Sequence, residues 1–324
     1  MSALSLPGPA RVVIRQHRWP LWGAGVLALA GIAALAGFLL WPDSAAGAFA
    51  DSGCSVEHTV RGCGDIVRDF LDSEYRIHQA VGRAAAVMTV LPAFVGLFVA
   101  GPVIGRELES GTYKLAWTQS VSPARWLAAK LAVPAVLTLV GVGVLSAVCS
   151  WARSRTDRTH YPVDWDDRMA YGSMGTVPVG YALCMLALGA LAGLVLRRTV
   201  AAMVTTVIGY GVLAAALNTV RDGLWPTAHS TYAPESTPEL PGGASSVASG
   251  WLTADGARLP WSTCPRGGAG LEQCLADEHI VRGYVDYHPA SHFWPLQLVE
   301  TGILLALAGL AVLLAFRVLR RRHG

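Results

Sequence analysis

Charge is scarce in these 324 residues: only 15% are Asp, Glu, Lys or Arg, while 53% are hydrophobic. A soluble domain carries about 25% charged residues, and a chain this poor in charge could not cover a water-facing surface. Several chemistries are missing as well. There is no G-x-x-x-x-G-K-[ST] phosphate loop, so the chain is not expected to hydrolyse ATP by itself. There is no HExxH and no serine nucleophile elbow. Gly172-Ser173-Met174-Gly175 has the wrong residue order for one and reads as loop Gly/Ser. No close CxxC pair suggests a metal site.

What is present is a set of six apolar blocks. A helix rises about 1.5 Å per residue, so roughly 20 apolar residues cross a hydrocarbon core of about 30 Å. Spans are read at Leu21–Leu40, Ala84–Ile104, Leu127–Cys149, Val177–Leu196, Val200–Leu217 and Pro295–Phe316. Lys130 and Glu300 alone carry charge inside them, each near one end of its span. An unsatisfied backbone is intolerable in lipid, so these runs are helices. Trp19, Trp22, Trp41, Trp126, Trp151 and Trp294 bracket them as an aromatic belt. The expected fold is an all-α integral membrane protein, a single domain of six spans over 1–324. Pro92 and Pro102 are expected to kink the second span. Gly189-x-x-x-Gly193 and the pair Gly209, Gly211 suit close helix packing, in the bundle or at a dimer seam.

Orientation follows from charge. Residues 1–20, 105–126, 197–199 and 317–324 hold twelve Lys/Arg against two acids, net +10. The other side, 41–83, 150–176 and 218–294, is nearly three times longer and holds twelve arginines against 19 acids, net −7. The positive-inside rule makes both termini cytoplasmic, anchored by Arg11, Arg15 and Arg18 and by Arg317, Arg320, Arg321 and Arg322. None of the six cysteines is on the short side. Disulfides persist in oxidising compartments, so Cys54–Cys63 and Cys264–Cys274 are expected to pair in the outer loops; four free thiols are the alternative. Ala48-Phe49-Ala50 follows a basic and apolar start like a signal-peptide cleavage site, but a 20-residue apolar run exceeds a signal core of about 7–15 residues. The run is read as an uncleaved first span.

The loops differ. Ile66, Val67, Phe70, Leu71, Ile77 and Val81 recur at helical spacing, predicting an outer helix that runs into the second span. Pro, Gly, Ser and Thr dominate 226–270, predicting a mostly irregular segment stapled by its cysteine pair. His279, Asp286, His288 and His292 invite a metal reading, but Pro289 breaks the helix that would align the last two, and ordinary interfacial histidines are the expectation. Glu300 is a candidate translocation carboxylate, about 7.5 Å below the outer end of its span. At that depth snorkelling is the alternative.

On the short side, Gly105-Arg106-Glu107-Leu108-Glu109-Ser110-Gly111-Thr112-Tyr113-Lys114-Leu115-Ala116-Trp117 stands out. Gly111 suits a helix C-terminal cap, and an amphipathic stretch with Tyr113, Leu115 and Trp117 follows. Ser122-Pro123 reads as an N-cap with proline at the first helical position, launching the third span. The residues describe a helical elbow at the inner face, equally a docking surface or an interfacial connector.

Glu107-x-Glu109-x-Gly111-Thr112, followed by Val121-Ser122, Arg125 and Lys130, resembles the permease subunits of ABC-2 type transporters. In that family an acidic-x-acidic-x-Gly-Thr segment follows the second span, and a Val-Ser step and a lysine lead into the third. The six-span topology and the short turn at Arg197-Arg198-Thr199 are similar too. The resemblance implies that 105–126 holds the coupling helix of an exporter, with Arg106, Glu107, Glu109, Gly111, Thr112, Trp117 and Arg125 at the contact with a separate ATPase. ATP and magnesium would be bound by that partner, with no cofactor in this chain and no nucleic-acid partner. Six spans are half a pathway, so a homodimer or heterodimer of permeases in lipid is implied. The Ala/Arg/Gly-rich, Lys-poor composition points to a bacterial cell membrane. From another class, a membrane-embedded sensor or assembly factor working through its outer loops fits the same topology.

Overall fold

A computed structural model describes residues 18–40, 44–57, 60–112, 122–157, 159–265 and 270–323. The chain divides into two compact units, 1–216 with 300–324, and 217–299.

The first unit is helical: α1 (Arg18–Leu40), α2 (Ser44–Ser52), α3 (Gly64–Phe94), a π-helical stretch (Val95–Ala100), α4 (Gly101–Ser110), α5 (Pro123–Ser154), α6 (Arg168–Ser173), α7 (Val177–Leu196), α8 (Thr199–Val220) and most of α10 (Phe293–His323). Among the described residues, six helices are long and apolar enough to cross a membrane, one for each span read from the sequence. Val177–Leu196 matches its expected limits, and the others extend beyond theirs. The outer helix expected before the second span is present as the first half of α3, which runs unbroken into it. Phe49 of α2 stacks on Phe70 of α3 with ring centroids 4.1 Å apart. Both cysteine pairs are bridged, Cys54–Cys63 and Cys264–Cys274, each with Cα atoms 5.8 Å apart, and Cys149 and Cys184 are buried free thiols.

The disturbance expected from Pro92 and Pro102 takes a particular form. Pro92 has no N–H to donate, and just beyond it residues 95–100 wind as a π-helix between the two prolines. Gly193 of α7 packs on Gly105 of α4: a Cβ on Gly193 would lie 3.2 Å from the Gly105 nitrogen. This is the close approach expected of a small residue in the fourth span. Gly209 and Gly211 face open space instead.

Two local readings are corrected. Gly172 and Ser173 are not loop residues: they end the helix α6, capped by the Asp167 carboxylate, and Ser173 is buried with its hydroxyl donating to Ala170 O at 2.8 Å. Trp126 is not an exposed belt residue but is only 5% accessible, whereas Trp19, Trp22 and Trp294 are exposed. Trp41 lies outside the described residues.

The second unit keeps most of 226–270 irregular, as expected, but adds strands that the composition did not suggest. It holds β1 (Ala228–Tyr232), β2 (Ser245–Thr253), β3 (Arg258–Leu259), the short helix α9 (Leu271–Asp277) and β4 (Ile280–His288), in an antiparallel sheet of order β1-β4-β2-β3. Val285 sits between Ser230 and Ser249 in the register. Trp251, Cys264, Leu275 and Ile280 form its core, and the Trp251 indole donates to Cys264 O at 3.0 Å. The disulfide thus fixes the loop that supplies the tryptophan's acceptor.

Candidate functional site

The elbow end of the first unit concentrates the predicted site residues. Helix α4 ends at Ser110, and Gly111 follows with φ +73, the left-handed conformation a C-terminal cap demands and glycine adopts without Cβ strain. On the other side, Ser122 is extended and its Oγ accepts from the Arg125 amide at 3.4 Å, with Pro123 opening α5. Both expected caps are therefore in place. Trp117, with Tyr113, Lys114, Leu115 and Val121, lies outside the described residues.

Helical periodicity then decides where each charge goes. Glu107 is three residues beyond Ile104, which is 1% exposed in an apolar cluster with Trp126, Leu127, Leu131, Ala190, Leu194, Ala315 and Leu319. Spacing of three keeps Glu107 on that inward face. There Lys130 Nζ donates to its Oε1 at 2.5 Å and the Trp126 indole to its Oε2 at 3.1 Å. Trp126 and Lys130 are themselves four apart on α5, so one face of that helix grips one carboxylate. Lys130 is 6% exposed, and a buried ion pair of this kind is stable only because both charges are met.

Glu109 is four residues beyond Gly105, and a Cβ on Gly105 would lie 3.1 Å from Thr199 Cα. That approach brings the start of α8 to the next turn, where Glu109 Oε2 accepts from Thr199 N at 3.0 Å and from Thr199 Oγ1 at 2.7 Å. A carboxylate from another helix thus caps the positive end of α8. Arg106, Thr112 and Arg125 are exposed.

The turn between α7 and α8 is only Arg197-Arg198. Arg197 adopts φ 53 and its N–H donates to Gly193 O at 3.0 Å, closing α7. Arg322 of α10 reaches the same end, donating from Nη1 to Leu194 O at 2.8 Å. A cation at carbonyls and an anion at amides each suit the helix dipole they meet.

Glu300 is fully buried, not snorkelling: it accepts from the Tyr181 hydroxyl at 3.2 Å. Tyr181 meets Tyr210 edge-on at 5.8 Å, Tyr210 donates to the Thr89 carbonyl, and Thr301 and Thr176 hydroxyls are 2.8 Å apart. These contacts tie α10, α7, α8 and α3 together.

In the second unit, Asp286 accepts from His229 Nδ1 at 2.7 Å and Arg258 Nη1 at 2.5 Å. Burial pushes its carboxyl upward, but those hydrogen bonds and the two positive partners outweigh burial and hold it below the usual carboxylate value. His288 is buried. Its Nδ1 lies 3.0 Å from His292 Nδ1, and its Nε2 donates to Asp222 O at 3.1 Å. Among the described residues no cluster of His, Cys, Asp or Glu is arranged to hold a metal.

Sequence reasoning missed Thr199, Tyr181 and Arg322 as partners. Thr199 carried a local signal, a hydroxyl residue at the start of an apolar run; the other two did not.

The six long apolar helices define a multi-pass helical membrane protein, with a glycine cap where the second long helix ends and a Ser-Pro cap where the third begins. Residues 29–221 match the family described as ABC-2 membrane transporter related, and the chain belongs to that family. No curated protein and no solved structure matches it.

Proposed function

We propose that the chain is the permease subunit of an ATP-driven transporter, working as an exporter with a separate ATPase that docks at 105–126. The observation that carries this reading is the family membership over 29–221, together with the caps at Gly111 and Ser122 that end the second long helix and start the third. Exposed Arg106, Thr112 and Arg125, with Trp117, would meet the ATPase, while Glu107, Glu109 and Gly111 hold the elbow's shape. ATP and magnesium would be bound by that partner. Two six-span chains, identical or paired, would enclose the pathway in a bacterial cell membrane. The net +10 on the elbow side supports cytoplasmic termini. Glu300 is proposed as a tie that must rearrange during transport.

Affinity purification in mild detergent tests this. The expected result is co-recovery of an ATPase with vanadate-sensitive turnover that Gly111→Val, forced into a left-handed conformation, reduces. Consistent absence of any ATPase would overturn the reading. It would favour instead a sensor or assembly factor acting through the disulfide-stapled 217–299 unit. Glu300→Gln with unchanged transport at normal assembly would remove Glu300 from the mechanism.

A further inference from the structure

Three charged side chains at the elbow end find partners on other helices of this chain, Glu107 while largely covered and Glu109 and Arg322 while exposed. Glu107 joins α4 to α5 through Lys130 and Trp126. Glu109 joins α4 to the first turn of α8 through Thr199. Arg322 joins α10 to the last turn of α7 through Leu194 O, with a longer contact of 3.4 Å to Val195 O. Between helices surrounded by lipid, burial of apolar surface gives little drive to associate, so small-residue packing and hydrogen bonds must hold them. Here both devices coincide: the Gly105–Gly193 approach and the apolar cluster lie beside these three ties.

We propose that Glu107, Glu109 and Arg322 are positioning residues that lock the ends of α4, α5, α7, α8 and α10 into one collar. A push on the elbow is then passed to four other helices instead of being lost by bending of α4 alone. The carboxylates of the acidic-x-acidic motif are the collar's fasteners, and the partner's contact falls to Arg106, Thr112 and Arg125 beside them. This inference rests on reading 105–126 as the coupling segment, but the collar itself is a property of this chain.

The test uses the full chain in mild detergent, alone and co-expressed with its ATPase. Hydrogen exchange is followed in the peptide covering 197–203. Losing a helix cap of about 1 kcal/mol corresponds to about a fivefold rise in exchange. Glu109→Ala and Thr199→Val are expected to show that rise with or without the ATPase, and Thr199→Ser, which keeps the hydroxyl, to stay near wild type. Co-purified ATPase is expected to remain within about twofold of wild type while transport-coupled turnover falls several-fold, as it also should in Arg322→Gln. Unchanged exchange in both Glu109→Ala and Thr199→Val overturns the collar. So does loss of the ATPase from purified Glu109→Ala with exchange unaltered, which would make Glu109 a docking contact. If wild type itself recovers no ATPase, the coupling reading fails, and the exchange result still decides the collar.

Discussion

The elbow end and the 217–299 unit each bury a carboxylate between two donors, but the two carboxylates serve different architectures. Glu107 lies between Lys130 and Trp126 on a neighbouring helix, 23 residues away at the lysine. Asp286 lies between His229 and Arg258 on strands of a sheet that also has a tryptophan core and a disulfide. In the first case the charge pair is a main connection between two helices that water does not drive together. In the second it is one of several constraints on a small sheet-built fold. The same chemistry should therefore matter far more at Glu107 than at Asp286, and that contrast is testable from both sides.

The largest effect is expected at Glu107. Glu107→Ala leaves Lys130 buried without its carboxylate, a loss of about 3–5 kcal/mol. Thermal aggregation in detergent, followed by size-exclusion chromatography, should show a large drop. Replacing both charges, Glu107→Leu with Lys130→Met, should recover most of the loss, because a well-packed apolar pair can substitute for a buried ion pair. A double variant as unstable as the single one would mean that the Trp126 contact, not the charge, dominates. Second in size is the staple of the sheet unit. Cys264→Ser with Cys274→Ser opens a loop of sequence separation 10, at a cost of about 3 kcal/mol. Limited proteolysis should then cut within 217–299 while helical circular dichroism is retained. Equal protease resistance with and without the bridge would show that the Trp251 core suffices alone.

The helices and their caps were legible because their causes are local. Apolar runs of span length, a glycine after Ser110 and a Ser-Pro step at 122–123 each act within a turn or two of their own position. The cysteine pairs were legible for the same reason, being nine and ten residues apart. The sheet was not. Ala228–Tyr232 and the first half of Ser245–Thr253 are rich in small and turn-forming residues, and they become strands by pairing with Ile280–His288, up to 59 positions later. That central strand did carry a signal, Ile, Val, Tyr, Val and Tyr within nine residues, overshadowed by the histidines around it. The elbow's acids were found as residues but not by direction. The i,i+3 relation of Glu107 to Ile104 says which way it faces, yet what it meets there is decided by how α5 packs. Trp126 failed for the same reason: a tryptophan beside a span is a belt residue unless a neighbouring helix covers it.

The smallest effect is the acid response of Asp286, and it sharpens the contrast. Its partners hold the carboxyl below the usual value in the folded unit. A carboxylate with a depressed folded pKa contributes stability that is fully present above the unfolded value of about 3.9 and disappears as pH falls through the folded value. Stability of the 217–299 unit should therefore be insensitive to this group from pH 7 to about pH 4 and decline below that. Asp286→Asn should flatten the decline, measured as protease resistance against pH with an acid-active protease. A decline that persists in Asp286→Asn would place the acid-sensitive group elsewhere in the sheet unit. The Glu107→Leu, Lys130→Met chain offers the complementary control: its bundle should change while the pH response of 217–299 remains that of wild type, because the two carboxylates belong to separate compact units and share no partner.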